Sequence, residues 1–388
     1  MHFKNLTKYL LPFLLITTLF VGCGSGAFQD SDHDGFSDQE EIDAGTDPQD
    51  PVSRPPSKPT KPTTPAVFAF TSSTAVSSNE CEVLPGHTLT TANATGAVTY
   101  AITGGTDAVR FMVDAATGVV SAADTNKTDF ESKPTYTYTV SATSGGKTAT
   151  QTVTVSLNQV LLTTGAFSYG CVPNNTTGKV WLDKNLGATI VCPTSNELTC
   201  VGGFYQFGRG TDGHEVRNSP KHNAKVLGGP GGGAPAKRAR GRAFTINAIN
   251  SVNGVSINGA VIVDAFTWWT VEDNDGMIRA ARWADSTGGV GSICPVGYRV
   301  PTITELNAEA ASWVTSDAAG AFASPLKLGV TGYRRQNATA KYIFLTRGYY
   351  RATTGVSHSH DALRFTAGAV ASTSLSDTQS ANIRCIKN

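Results

Sequence analysis

Between residues 67 and 157 apolar and polar side chains alternate in short runs, at 97–102, 135–142 and 148–157, with many β-branched residues and with glycine or asparagine at the breaks. A period of two puts alternate side chains on one face, and that face must be buried against a second sheet. A segment of this length suits one sandwich, so an all-β sandwich is expected over 67–160. Composition agrees with a β-leaning, loop-rich chain. Of 388 residues, 16% are charged and 40 are glycine, against roughly 25% and 7% in ordinary domains. This profile argues against a long-helix or coiled-coil protein. A net charge of +1 excludes a general nucleic-acid binder.

Within the alternating region, Phe111-Met-Val-Asp114-Ala-Ala-Thr117-Gly118-Val-Val120 resembles the F-x-I-D-x-x-T-G-x-I hairpin of cadherin-like domains. Asp129 and Glu131, in Asp129-Phe-Glu131, match the D-x-E calcium ligands of that family. Its later A-x-D is replaced by Ala142-Thr-Ser144, so one ligand is missing. The resemblance implies a cadherin/Ig-like sandwich that serves as a spacer.

The N-terminus has a different pattern. Lys4 and Lys8 flank the start of an almost unbroken apolar stretch over 10–21. It is too short to span a bilayer but suits a signal-peptide core. It ends Leu19-Phe20-Val21-Gly22-Cys23, which resembles a bacterial lipobox. The resemblance implies that residues 1–22 are removed and that Cys23 is acylated. It also implies outer-membrane sorting, since Gly24 rather than aspartate follows. Acyl chains hold a protein on a bilayer at about 0.8 kcal/mol per buried CH₂. The expected location is therefore the bacterial outer membrane, at the cell surface, with the membrane as a partner through the N-terminal lipid.

Residues 23–50 follow as an acidic, lipid-anchored segment. Residues 30–50 carry nine carboxylates and no lysine or arginine. Residues 30–41 fit D-x-[DN]-x-[DN]-G-x₅-E. Asp30, Asp32, Asp34, Asp38 and Glu41 supply hard oxygen ligands, with the Phe36 carbonyl as the backbone ligand, at a spacing that wraps one Ca²⁺. Gly35 permits the tight turn, and Asp38 acts through water. With its trailing EEIDAGTDP, the run resembles one thrombospondin type 3 or dockerin-like calcium repeat. The expected role of the ion is to stiffen a stalk. Prolines recur through the linker over 51–66, which reads as a semi-rigid polyproline spacer.

Beyond Cys23 six cysteines remain: Cys81, Cys171, Cys192, Cys200, Cys294 and Cys385. An even number outside the cytoplasm points to disulfides, with several connectivities possible. Cys192 and Cys200 can close a loop. Cys294 and Cys385 can tie the ends of the last segment, and Cys81 with Cys171 would join two modules. Other pairings stay open. No Cys/His spacing suits zinc.

Over 165–388 the signal lies in separated blocks. These are 179–188 (KVWLDKNLGA), 203–209 (GFYQFGR), 211–215 (TDGHE), 294–302 (CPVGYRVPT) with Glu305, and 383–386 (IRCI). In this order they resemble the Fibrobacter succinogenes major paralogous domain, a surface-protein module. That resemblance implies a loop-rich α+β fold related to C-type-lectin-like and formylglycine-generating-enzyme-like domains. The chain departs from the family's YWSST block at Tyr342-Ile-Phe-Leu-Thr346. Independently, Thr302 and Glu305 form a capping-box signature for a helix over 302–314. Leu306, Ala310 and Trp313 then share one face, and Arg299 and Glu305 read as structural partners.

Other functional residues lie in this region. Lys237, Arg238, Arg240 and Arg242 follow a glycine-rich loop and could contact anionic groups. Trp268, Trp269, Trp283, Tyr349 and Tyr350 could stack on sugar rings through their flat apolar faces, but most of them are expected in the core, with one or two exposed. His214 and Glu215 with His222, or His358 with His360, could hold a transition metal only weakly. No nucleophile or metalloprotease signature occurs, so a non-enzyme is expected. The fold expectation is multidomain: the sandwich, then a C-type-lectin-like domain. The functional expectation is a surface lipoprotein that acts as an adhesin or as a glycan- or surface-protein-binding module. The alternative is a structural envelope component.

Overall fold

A computed structural model describes residues 29–56, 66–211, 213–217, 219, 221–222, 251–252, 255–256, 261–262, 276–289, 292–334, 345–356, 359–376 and 379–388. Cys23, the leader and most of the proline-rich linker lie outside them. So do the basic run at 237–242, Trp268, Trp269 and His358. The chain divides into two compact units, 1–66 and 67–388.

In the first unit, helix α1 (Asp38–Ala44) follows the acidic loop. The Glu40 carboxylate accepts the Ser37 N–H and hydroxyl at 3.0 and 2.9 Å, which anchors the first turn. Gly45 ends the helix at φ 74°, and the Thr46 N–H returns to the Glu41 carbonyl at 2.9 Å. A left-handed glycine is the usual stop.

The second unit begins with the expected sandwich. Its nine strands are β1 (Ala69–Phe70), β2 (Ala75–Asn79), β3 (His87–Thr88), β4 (Thr91–Ala92), β5 (Thr99–Gly104), β6 (Phe111–Val113), β7 (Val119–Ala122), β8 (Thr135–Ser144) and β9 (Lys147–Asn158). One sheet has the order β2-β9-β8-β5 and another β3-β7-β6, while β1 pairs with β4. The β8–β9 hairpin turns on Gly145 and Gly146, both at positive φ, as a tight two-residue turn requires. Along β8, Tyr136, Tyr138, Val140 and Ala142 are buried while the intervening threonines face outward. Their inward face packs with Phe111, Val120, Val153 and Val155. Ser144, which stands where the cadherin ligand is missing, is buried. Its hydroxyl accepts the Gly96 N–H and donates to the Gly96 carbonyl.

From residue 162 the chain builds small sheets. A hairpin, β10 (Leu162–Thr164) with β11 (Phe167–Tyr169), leads into β12 (Cys171–Asn174), β13 (Lys179–Leu182) and β14 (Tyr205–Gln206). Four two-residue strands follow: β15 (Lys221–His222), β16 (Ser251–Val252), β17 (Val255–Ser256) and β18 (Val261–Ile262). After them come α2 (Met277–Ala284), β19 (Tyr298–Arg299), α3 (Ile303–Ala311), α4 (Ala318–Ala323) and β20 (Tyr333–Arg334). The chain closes with β21 (Arg347–Val356), β22 (Ser359–Thr366), β23 (Ala369–Ser376), β24 (Ser380–Ala381) and β25 (Ile386–Lys387). The sheets are β12-β13-β25-β19, β14-β24-β20 and the meander β21-β22-β23.

Helix α3 starts as the sequence predicts. Thr302 accepts from the Glu305 N–H, and the Glu305 carboxylate reaches back to the Thr302 N–H. It ends sooner than residue 314, because the Ser312 hydroxyl turns back to the Glu309 carbonyl at 2.6 Å. Leu306, Ala310 and Trp313 are buried together against Trp181, Tyr350 and Phe365.

Three disulfides form: Cys81–Cys171, Cys192–Cys200 and Cys294–Cys385. The first bolts the sandwich to the C-terminal region. Cys81 packs in the same core as Tyr169, Tyr205 and Trp283. Around it, the Lys127 N–H donates to Asn175 Oδ1 at 2.8 Å, and Lys127 Nζ donates to the Gly178 carbonyl at 2.9 Å.

Among the described residues of the C-terminal region, few long ladders run outside the β21-β22-β23 meander, and buried side chains satisfy backbone carbonyls there. Arg384 is 1% exposed. It donates to the carbonyls of Leu182, Asp183 and Leu326 and to Asn185 Oδ1. Asn382 Nδ2 donates to the carbonyls of Val201 and Gly203 at 2.6 and 2.9 Å. Two outcomes are expected. Replacing Cys81 and Cys171 by serine should cost about 2–5 kcal/mol in chemical denaturation. Arg384→Met should cost about 3 kcal/mol, because buried carbonyls lose their donor.

Candidate functional site

The acidic loop gathers three of its carboxylates on one point. Ligand oxygens of Asp30, Asp32 and Asp34 lie within 4.8 Å of one another. Backbone amides hold the loop closed. The Asp34 N–H donates to Asp30 Oδ1 and Asp32 Oδ1, both at 3.2 Å. The Gly35 N–H donates to Asp30 Oδ2 at 3.1 Å, and the Phe36 N–H to Asp34 Oδ1 at 3.0 Å. Gly35 sits at φ 97° and His33 at 63°. Both are turn conformations that glycine meets without strain.

Several oxygens have no such donor. Both Glu41 oxygens and the Oδ2 atoms of Asp32 and Asp34 are buried without a hydrogen bond. Glu41 is 0% exposed. Arg54 Nε comes within 3.0 Å of Asp34 Oδ2, but its N–H is directed to the Pro51 carbonyl at 2.8 Å. Burial raises the Glu41 carboxyl above its ordinary range, and the charges of Asp32, Asp34, Asp30 and Asp38 raise it further. Burial also raises Asp32, with Asp34 and Asp30 adding repulsion. Asp30 is held low, since amide donors led by Gly35 outweigh its burial. A buried carboxylate without a donor is costly, and a divalent cation supplies the missing charge. These hard oxygens therefore fit calcium.

One residue of the expected ligand set is placed differently. Both Asp38 oxygens take the backbone N–H and hydroxyl of Ser31 at 2.7 Å. Asp38 thus braces the loop from the first turn of α1.

A second acidic group lies at the junction within the larger unit. Oxygens of Glu80, Asp129 and Glu131 meet within 4.8 Å. Here protein donors serve them. Glu80 accepts the Val160 and Phe130 amides at 2.7 and 3.2 Å. Asp129 accepts the Ser132 N–H and hydroxyl, and Glu131 accepts Gln159 Nε2. Burial, together with the neighbouring Glu131, pushes the Glu80 carboxyl up to about 7. Glu80 escaped the sequence reading. Its one signal is an acid placed directly before the cysteine that crosses the junction.

The C-terminal blocks meet one another in the core. Asn185 binds Arg384, Cys294 binds Cys385, and Arg299 forks onto Glu305 at 2.9 and 2.7 Å. Burial would raise the Glu305 carboxyl, but Arg299 and Thr302 hold it down at about 2. Glu309 was also missed. It is buried on the apolar face of α3 and accepts from Asn174 and Trp313.

The aromatic residues that the structure describes fall on the core side of the reading, and the histidine metal readings are not met. Trp283, Tyr349 and Tyr350 are core residues with at most 5% exposure, so they cannot stack on a sugar. His214 is buried, and its Nε2 accepts the Gln206 amide at 3.0 Å. His360 is buried and stacked on Phe207 at 3.5 Å. Neither ring is presented to a metal. His222 lies in β15.

Residues 30–51 match the family described as the bacterial TSP3 repeat. No curated protein matches the chain. Similar solved structures include human protocadherin-24 EC1-2, at 21% identity and TM-score 0.21, covering 26% of this chain and 50% of that one. Drosophila N-cadherin EC1-3 is similar at 18% identity and TM-score 0.21, covering 24% and 34%. The chain thus spans half or less of the length of these structures. The sandwich assignment rests on the strand order above.

The two shifted glutamates give opposite pH dependences. Glu80 has a raised folded pKa, so its contribution is full below 4.5 and is lost as pH rises from 4.5 through about 7. Glu305 has a lowered one, so its contribution is present above 4.5 and is lost as pH falls from 4.5 toward about 2. Melting temperature followed against pH should fall on both sides. Glu131→Gln should flatten the neutral limb, and Glu305→Gln the acid limb.

Proposed function

We propose that this protein is a calcium-stiffened surface lipoprotein that serves as a binding module, an adhesin or a glycan- or partner-recognising protein. Cys23 carries the lipid, the outer membrane is its location, and the chain performs no catalysis. The observation that carries the calcium reading is the set of buried, donorless oxygens of Glu41, Asp32 and Asp34 inside a segment that matches the TSP3 repeat. Asp30, Asp32, Asp34, Glu41 and the Phe36 carbonyl would hold the ion. Calcium there neutralises crowded charge and ties the loop to α1.

Recognition belongs to residues 165–388. The block order supports relation to the Fibrobacter paralogous module and its lectin-like relatives, and the small sheets joined by long loops are consistent with it. A second reading, an envelope-assembly component, is supported by Ile190, Val191 and Leu198. These are exposed apolar residues at and beside the Cys192–Cys200 loop.

The test is calorimetric titration of the protein with Ca²⁺. The wild type should bind one ion at the repeat, and Glu41→Gln should weaken binding by at least about tenfold. In chelator the same variant should melt higher than the wild type, because an unpaired buried charge is gone. Absence of calcium binding by the wild type would overturn the reading.

A further inference from the structure

A cavity of about 420 Å³ lies beside the β10–β11 hairpin, bounded by the Leu186–Gly187 and Gly202–Gly203 turns and by Thr211, Glu215, Val216 and Arg217. Its size falls within the range of small-molecule pockets. Three aromatic rings, Phe167, Tyr169 and Tyr205, line it together with Ile293. Tyr169 and Tyr205 are nearly fully buried and act as floor, while Phe167 is only partly buried. The Tyr169 hydroxyl accepts the Gly187 N–H at 2.8 Å, which fixes that ring. The wall at Gly203 is bare backbone, since a Cβ there would come within 2.7 Å of the Tyr205 ring. The floor and the Gly203 wall of the cavity are thus set by packed side chains and backbone.

Among the described residues its charged side is formed by Glu215 and Arg217, and Thr164 and Thr211 add hydroxyls. Glu215 is held in place, with its Oε2 accepting the Gly213 N–H at 2.9 Å and lying 3.4 Å from His214 Nδ1. Arg217 is exposed. A carboxylate only accepts hydrogen bonds and a guanidinium only donates them. A simple anion would be opposed by Glu215 and a simple cation by Arg217. A neutral polyol suits both, because each hydroxyl donates and accepts. A pyranose combines such hydroxyls on its edge with an apolar C–H face for an aromatic ring.

We infer that this cavity binds a neutral pyranose unit, packed on Phe167 and hydrogen-bonded by Glu215 and Arg217. The inference rests on the glycan-binding reading above and assigns it a place and a sugar class.

The whole protein is tested by calorimetry and saturation-transfer NMR. The probes are glucose, galactose, mannose and N-acetylglucosamine, beside glucuronic acid, glucosamine and alanine. In parallel, the wild type and variants are applied to a glycan array. At least one neutral sugar should bind, and the charged sugars and alanine should bind more weakly. Arg217→Ala, at an exposed position, should lower affinity by roughly fivefold or more, and Phe167→Ala should abolish binding. If Phe167→Ala fails to fold, Arg217→Ala and Glu215→Gln carry the test. Array binding unchanged in Arg217→Ala and Glu215→Gln would overturn the cavity assignment and leave glycan binding standing. No glycan bound by the wild type would overturn both. Preferred binding of alanine or of a charged sugar would overturn the neutral-pyranose class.

Discussion

The buried guanidinium of Arg384 holds the C-terminal region together. Loops bring many backbone carbonyls into that core without the regular partners of a helix or a sheet. Each such group is costly if left unpaired. Arg384 reaches the Leu182, Asp183 and Leu326 carbonyls and Asn185 at once, which a planar five-donor fork can do and an ammonium cannot. Its neighbour Cys385 is bonded to Cys294, and Ile386 pairs with Trp181. Three consecutive residues thus close the region by hydrogen bonds, a covalent bond and a strand pairing.

The two acidic clusters differ in a way that residue counting would miss. Ligand oxygens of Glu80, Asp129 and Glu131, like those of Asp30, Asp32 and Asp34, lie within 4.8 Å of one another. At the junction, amides and side-chain donors satisfy the carboxylates, while burial and the neighbouring Glu131 raise the Glu80 carboxyl. The Cys81–Cys171 bond supplies the rigidity there. In the repeat, both Glu41 oxygens and Asp32 Oδ2 are buried with no donor, and Asp34 Oδ2 has only the Arg54 charge beside it and no hydrogen bond. Two sets of carboxylates with similar spacing therefore have different chemistry, decided by which donors the surrounding backbone brings.

Several features were legible because they depend on local spacing. The alternation in β8 and β9, the Thr302–Glu305 capping box and the twelve-residue acidic loop each involve neighbours along the chain. The disulfide pairs were suggested by spacing and by the module boundary. The end of α3 was less legible, because it hangs on one hydroxyl, that of Ser312. Which of the aromatic residues would be core and which exposed was not legible residue by residue. A tryptophan or tyrosine reads the same in a core as on a surface, and burial of Trp283, Tyr349 and Tyr350 comes from long-range packing.

The sequence by itself determined the alternating strands of the sandwich, the calcium-loop spacing, the start of α3 and the supply of cysteines, since these follow from periodicity, residue type and short-range hydrogen bonding. Only the tertiary structure decided that Asp38 braces the loop through Ser31, that Glu80 joins Asp129 and Glu131, and that the separated blocks meet around Arg384. It also formed the cavity over Phe167, Tyr169 and Tyr205. Those arrangements depend on which donors and rings converge from distant parts of the chain, and that convergence is set by burial and packing.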